Sequence, residues 1–328
     1  MIKQHPIRSG FETFSKPDAI LRGINLNGKV AIVTGGYSGL GEETVRALAK
    51  TGATIIVPAR DMPRAHAALV DVLGDVRIDS MDLADLDSVR GFADGFCAEF
   101  DRLDLLINNA GIMACPETRV GPNGWEQQFG VNHLGHFALT KALMPLLQKT
   151  AEQLQSDVRV VALSSTGHKL SDIRWDDPHF RAQPYDKWQA YGQSKTANAL
   201  FAVALNKRLA DYGGRAFSVH PGGILTPLQR HLPREEMIAL GWLNEDGEIA
   251  EAAAKMFKTP AQGAGTTLWA ATNWQLAKIG GVYCEDCDIA ELADPQNPLR
   301  YKNVEPYAVG PDSAERLWAL SEEMIAAD

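Results

Sequence analysis

An apolar, β-branched run from Lys29 to Thr34 ends in Thr34-Gly35-Gly36-Tyr37-Ser38-Gly39-Leu40-Gly41, and a helical pattern follows from Glu42 to Lys50. Strand, glycine turn and helix in this order are the opening unit of an alternating α/β fold. Glycine lets the backbone turn tightly and come close to a bound group. The helix start behind the turn offers free N–H groups and partial positive charge, which suits a pyrophosphate. A bare glycine pattern is equally a tight strand–helix turn; its place on the first strand of an alternating chain favours a dinucleotide site.

The alternation continues. Strands are expected at 53–59, 75–83, 103–111, 157–165 and 214–223, and helices at 61–71, 85–100, 123–149 and 188–211. Asp61 opens the second helix, with Pro63 in its first turn. This pattern predicts one doubly wound parallel sheet of Rossmann type, with ligands outside the carboxyl ends of the strands. Residues 1–27 read as an irregular N-terminal arm. Residues 28–290 form the nucleotide-binding domain, including a substrate loop at 224–258. Residues 291–328 form a C-terminal helical extension whose amphipathic stretch, 312–325, docks on the core or at a contact between copies in a homo-oligomer.

The chain has 328 residues, a net charge of −9 and scattered lysines and arginines, which argues against a nucleic-acid partner. No apolar run reaches the roughly 18 residues of a membrane span, and the N-terminus has no signal-peptide core, so a cytoplasmic protein is expected. Cys284-Glu285-Asp286-Cys287 has metal-site spacing but no second pair and acidic neighbours, so it is read as a structural turn, with no metal expected. His133 and His136 are read as packing residues. His220 is read as shaping the loop that follows it. Trp242 and Trp269 are read mainly as core.

The end of the second strand selects the nucleotide. NAD(H) calls for a carboxylate there to hold the ribose hydroxyl. Here the slot reads Pro58-Ala59-Arg60-Asp61. Ala59 stands where the carboxylate would be, and the Arg60 guanidinium suits a 2′-phosphate, so NADP(H) is expected over NAD(H). Asp61 is read as the cap of the next helix.

Tyr191 and Lys195 lie one helical turn apart, on one face. A free phenol, with a pKa near 10, is a poor base at pH 7; lowering it about 3 units takes about 4 kcal/mol. A nearby ammonium and an oxidised nicotinamide ring are plausible sources. Alone, a Tyr–Lys pair on a helix is common and means little. Beside a nucleotide site it forms a proton-transfer device.

Together, Thr34-Gly35-x-x-x-Gly39-x-Gly41, Asp82-Leu83, Asn108-Asn109-Ala110-Gly111, Asn132, Ser165, Tyr191-x-x-x-Lys195 and Pro221-Gly222 resemble the short-chain dehydrogenase/reductase family in its order of motifs. Val131 to Phe137 and Pro58 to Asp61 are similar to the retinol-dehydrogenase-like and WW-domain-oxidoreductase-like branch. The resemblance implies that Tyr191 is the general acid/base, that Lys195 lowers its pKa and binds ribose, and that Ser165 holds the substrate oxygen. It implies that Asn132 orders a water in the proton path. Cofactor contacts are implied for Gly35, Tyr37, Ser38, Gly39, Leu40, Gly41, Asp82, Leu83, Asn109, Ala110, Gly111, Pro221, Gly222 and Thr226. Ser165 and Tyr191 stand 26 residues apart, about twice the common family spacing, which keeps Ser164 beside Ser165 as a candidate.

The implied activity is NADP(H)-dependent interconversion of an alcohol and a carbonyl. Reduction of a C=C bond, as in protochlorophyllide reductases, and NADP sensing without turnover are the alternatives. A sugar-nucleotide epimerase would space its first glycines GxxGxxG. The segment between Ser165 and Tyr191, with Trp175, Phe180, Tyr185 and Trp188, and the segment with Ile224, Leu225, Leu228, Met237, Leu240 and Trp242 are expected to wall a pocket for a bulky, mostly apolar substrate.

Overall fold

A computed structural model describes residues 4–121, 123–153, 157–297, 299 and 301–326. A short α1 (Pro17–Ile20) precedes β1 (Val30–Val33), α2 (Gly39–Ala49), β2 (Thr54–Ala59), α3 (Met62–Leu69), β3 (Val76–Ser80), α4 (Leu86–Glu99) and β4 (Leu105–Asn108). A small hairpin of β5 (Arg119–Val120) and β6 (Trp125–Glu126) leads into α5 (Gln127–Phe129), a π-turn at Gly130–Leu134, and α6 (Gly135–Gln153). Then come β7 (Arg159–Leu163), α7 (Lys187–Leu209), β8 (Arg215–His220), α8 (Arg234–Ala239), α9 (Glu251–Ala254), α10 (Pro260–Thr272), β9 (Val282–Glu285), β10 (Asp288–Ile289) and α11 (Pro311–Ala326).

The main sheet has the order β10-β9-β8-β7-β4-β1-β2-β3, and every pairing is parallel except that of β9 with β10. All residues of β1, β4 and β7 are buried, since helices cover both faces; this explains why they read as continuous apolar runs rather than alternating ones. One core packs α4, α6, α7 and α11 against the sheet. The other packs α1, α2 and α10 on the opposite face. The strand order reverses between β1 and β4, so the crevice expected of a doubly wound sheet opens above their carboxyl ends.

Two features depart from the sequence-based expectation. The stretch 123–149 is not one helix: its first residues close the β5–β6 hairpin, and the helix is interrupted by the π-turn. Such a turn widens the helix by one residue, and these insertions recur at functional sites; Asn132 sits inside it. The N-terminal arm is tied down. Gln4 completes the β9 edge by donating to the Tyr283 and Ala290 carbonyls and accepting from the Tyr283 N–H, and Asp288 accepts from Ile7 and Ser9. Of the two placements expected for the C-terminal helix, α11 takes the one on the core. Its Trp318 lies edge-on to Phe137 at 4.8 Å beneath the Arg208 guanidinium, and its Ser321 hydroxyl is 2.7 Å from Nε2 of His133.

Candidate active site

The glycine turn is held from both sides. The Thr34 hydroxyl accepts from the backbone N–H groups of Asn109 and Ala110 at 2.9 Å, and the Asn109 amide donates to the Thr34 carbonyl at 2.8 Å. Nε2 of the buried His136 lies 2.8 Å from the same hydroxyl. This knot joins the ends of β1 and β4. Gly35 takes a φ of +63° and Gly39 a φ of +55°, conformations that L side chains rarely adopt. A side chain at Gly35 would sit 3.0 Å from the Ala110 backbone, and one at Gly41 would collide with the Gly35 carbonyl. Ser38, at the head of α2, makes no capping bond, so the first N–H groups of that helix face the crevice without a side-chain partner from Ser38. An anion is the group such a cradle fits.

A cleft of about 280 Å³ runs along this turn. It is lined by Gly35, Tyr37, Ser38, Gly39, Leu40, Arg60, Asp82, Leu83, Asn109, Ala110, Gly111 and Thr226, all singled out from sequence. Gly41 lies beneath the turn, buried. Arg64, which the sequence argument passed over, joins Arg60 in the lining, and its guanidinium reaches 3.5 Å from the Ser38 hydroxyl. It follows Arg60 by four residues, and that spacing was the available signal. Asp61 caps α3 by accepting from the Arg64 N–H.

The second group of residues meets the cleft at its inner end. Asp186 caps α7 by accepting from Trp188 and Gln189, which sets Tyr191 and Lys195 in successive turns. Tyr191 is buried, and Gly167 leaves room for its ring: a side chain there would stand 2.6 Å from it. Burial pushes the Tyr191 hydroxyl up to about 12, opposed by a hydrogen bond from Ser165. Burial brings Lys195 down to about 8; its ammonium donates to the Leu163 carbonyl at 3.0 Å and lies 5.6 Å from the Tyr191 ring centre.

Ser165 and Ser164 separate clearly. Ser164 donates to the Lys195 carbonyl at 2.7 Å and is spent on holding α7. Ser165 accepts from the Gly167 N–H and, facing the Tyr191 hydroxyl, pulls its pKa down against burial. In the π-turn, Asn132 donates to Ser194 and to the Ile112 carbonyl and accepts from the Ile112 N–H, each at 2.9 Å. Gly111 lies between the Asn132 side-chain oxygen and the Lys195 ammonium, 3.4 and 3.6 Å from where a Cβ would stand.

Tyr191, Lys195 and Ser165 line a larger cavity of about 740 Å³. It shares Leu40, Asn109, Gly111, Thr226 and Leu228 with the cleft, so the two join. Pro221, Gly222, Ile224, Leu240, Trp242, Met256 and Phe257 form much of its wall. Thr13 and Phe14 of the arm and Leu299, Tyr301 and Lys302 of the C-terminal segment also reach it, and sequence reasoning placed neither segment there. Trp175 does not line the cavity; it packs under the Arg316 guanidinium against α11. Trp188 sits behind Tyr191 and Trp242, bonded to Glu236. Leu225 is also outside the lining. Tyr185 bonds the Cys115 carbonyl and packs on Phe180. The aromatic insertion thus mainly packs onto the body, and the loop after β8 walls the cavity.

The histidines serve the frame. His136 and His133 are buried, with pKa values brought down by desolvation to about 4 and about 3. His220 accepts from the Thr166 N–H, and Trp269 is fully buried. The four cysteines are free. Among the described residues, no helix is long and apolar enough to cross a membrane.

The profile of the short chain dehydrogenase family matches residues 29–176. A Streptomyces lividans protein described as a probable oxidoreductase is 39% identical over 308 residues, covering 93% of this chain and 100% of its own length. Retinol dehydrogenase 12 of Mus musculus is 36% identical over 307 residues, covering 92% of this chain and 88% of its own. The crystal structure of an uncharacterized protein from Mycobacterium Paratuberculosis superposes with a TM-score of 0.67 at 34% identity, covering 92% of this chain and 94% of that one.

Proposed function

Because the chain belongs to the short-chain dehydrogenase family, in its retinol-dehydrogenase-like branch, we propose that it is an NADP(H)-dependent oxidoreductase interconverting an alcohol and a carbonyl on a bulky, mostly apolar substrate. The carrying observation is the junction of the two cavities. The glycine cradle ends at Gly111, where the Tyr191, Ser165 and Lys195 side chains begin.

When bound, the nicotinamide supplies or accepts a hydride. The chain's own residues hold the substrate and move the proton. Ser165 is assigned to bond the substrate oxygen, because it lines the same cavity as the phenol that must exchange a proton with that oxygen. Tyr191, at about 12, is protonated at neutral pH, the form that donates to a developing alkoxide. The reverse direction needs its proton removed, and Lys195 and Asn132, on either side of Gly111, are the polar groups through which it would leave. Arg60 and Arg64 support the preference for a 2′-phosphate, since two guanidiniums line the cleft near the end of β2.

The test is turnover of NADPH, and of NADH in parallel, by purified protein with equal-sized apolar ketones and sugar-derived carbonyls. Higher kcat/KM for the apolar set with NADPH is expected. Preference for the polar set removes the substrate assignment. No oxidation of NADPH with any carbonyl removes the reaction itself.

A further inference from the structure

The nucleotide cleft and the wall of the large cavity meet at a short 3₁₀ turn after β8, Pro227–His231. The turn is pinned at both ends. Before it, Thr226 lies against the glycine turn: a Cβ at Gly39 would stand 3.3 Å from the Thr226 Cβ. Thr226 caps the turn by accepting from the Leu228 N–H. The Gln229 side chain accepts from the Thr226 N–H and donates to the Ile224 carbonyl. After the turn, the buried Leu232 packs with Met113, Ala114 and Tyr191. Between these anchors, Leu228 lines both cavities and Arg230 lines the cleft. Arg230 is exposed, and its guanidinium bonds the Pro227 carbonyl of its own turn at 3.1 Å.

We propose that Arg230 binds the diphosphate of the dinucleotide, so that a residue of the loop walling the substrate cavity completes the cofactor site. The inference rests on reading the cleft as a dinucleotide site. Three observations carry it. The first is charge. Arg60, Arg64 and Arg230 line the cleft against one acid, Asp82, which accepts from the Ala84 N–H of its own turn. Elsewhere Arg46, Arg102, Arg159 and Arg208 pair with carboxylates. Among the described residues, no carboxylate pairs with the three arginines of the cleft. The second is position. Arg60 and Arg64 come from the end of β2 and from α3, whereas Arg230 comes from the opposite bank, four residues after the threonine that rests on Gly39. Its charge is also felt across the cleft, where it opposes the burial that pushes the Cys115 thiol up to about 11. The guanidinium therefore stands between the glycine turn and the segment after β4, over the stretch where a dinucleotide laid along the cleft carries its diphosphate. The third is what the cradle lacks. The N–H groups at the head of α2 offer only partial charge, while a diphosphate carries full negative charges that a guanidinium fork meets two oxygens at a time. A diphosphate held by Arg230 also fastens the segment leading into Leu240, Trp242 and Phe257 of the cavity wall.

Calorimetric titration of the wild type and Arg230→Gln with NADPH and with NADH tests the contact without turnover. Arg230 is exposed, so its replacement leaves the core intact. Both dinucleotides carry the diphosphate, so both should lose affinity by the same factor, roughly tenfold for one charge-assisted contact. Arg230→Lys, which keeps the charge, should recover most of that loss. Weaker binding of NADPH alone would move Arg230 to the 2′-phosphate and overturn the assignment. Unchanged affinity for both, or no recovery with lysine, would overturn it as well. If the wild type binds neither dinucleotide, the reading of the cleft fails and this inference with it; if the wild type binds both and Arg230→Gln matches it, only this inference fails. Chymotrypsin digestion then checks the wall. Saturating NADP+ should slow cleavage between Leu240 and Phe257 in the wild type, and that protection should be lost in Arg230→Gln at equal occupancy. Equal protection in the two proteins, or none in either, would show that the wall is not fastened through Arg230.

Discussion

The nucleotide cleft and the large cavity share Asn109, Gly111 and Thr226, but they are built in different ways. Most of the cleft comes from the turns after β1, β2, β3 and β4, each a few residues long and each set by local rules. A glycine with positive φ, an aspartate at a helix cap or a threonine at a strand end does its work within a few positions of where it stands. The cavity gathers its wall from the arm, the end of β7, α7, the loop after β8, the turn after β9 and the C-terminal segment. Those pieces are separated by up to about 290 positions, from Thr13 to Lys302, and only the folded chain brings them together. A local motif advertises itself in sequence, whereas a surface assembled over long range does not.

The largest expected effect lies where the two regions meet. Tyr191→Phe removes only the phenolic hydroxyl and keeps the ring that packs on Gly167. Turnover should fall by at least the ~10²–10⁴ of general acid/base catalysis, with cofactor affinity nearly unchanged. Steady-state kinetics beside a cofactor titration checks both halves. A kcat close to the wild type would remove the proton-transfer role, and a matching loss of cofactor affinity would mean that the two regions cannot be separated.

Acid should attack the shared frame. His133, His136, His168 and His220 are buried, and desolvation holds them at about 3 or 4. Unfolded, an imidazole titrates near 6.5, so between roughly pH 6.5 and pH 4 the unfolded chain binds more protons. Their stabilising contribution is complete above pH 6.5 and is lost as the pH falls through that window. For a group moved from about 6.5 to about 4, the loss at pH 5 is about 2 kcal/mol. Urea unfolding at pH 7 and pH 5 should show a drop of at least that size. A flat profile would mean that these imidazoles are not kept neutral in the frame.

The same contrast explains what could be read from the chain alone. The sheet, the glycine turn, Asp61 as a cap and the convergence of Tyr191, Ser165 and Lys195 follow from periodicity and short motifs. The hairpin of β5 and β6 was hidden because its strands are two residues each, too short to show a period. The π-turn was hidden because one extra residue hardly disturbs a helical pattern. Trp175 and Tyr185 looked like pocket residues because aromatic side chains suit pockets and packing alike; only contacts with Arg316 and Phe180 assign them to packing. Gln4 and Asp288 fasten the arm by bonds that span 279 and 281 positions, which no local pattern announces.

Cofactor choice tests how local the cleft is. Arg60→Ala with Arg64→Ala should flatten an NADPH preference of about 10–100-fold, the value of a charge-assisted contact to phosphate. Both arginines lie within one helix and its approach, so substrate KM for an apolar ketone should move little. Titration of both cofactors against wild type and variant measures the first effect. Tighter NADH than NADPH binding by the wild type would reverse the assignment.

The smallest expected effect separates a cavity residue from a packing residue of the same type. Trp242 lines the cavity and stands edge-on to Trp188 and Phe257. Trp175 lies outside it, beneath the Arg316 guanidinium at 4.2 Å. Trp242→Ala removes apolar surface from a substrate, so kcat/KM for an apolar ketone should fall roughly tenfold, the equivalent of about 1.4 kcal/mol of lost burial. The loss should appear in KM, because Tyr191 and Ser165 remain in place. Trp175→Ala should leave kcat/KM within a factor of about two and lower Tm instead, by loosening the seat of α11, with a stability cost of order 1–3 kcal/mol for a half-buried aromatic. If the two variants exchange these signatures, the insertion walls the substrate site and the loop after β8 is only scaffold.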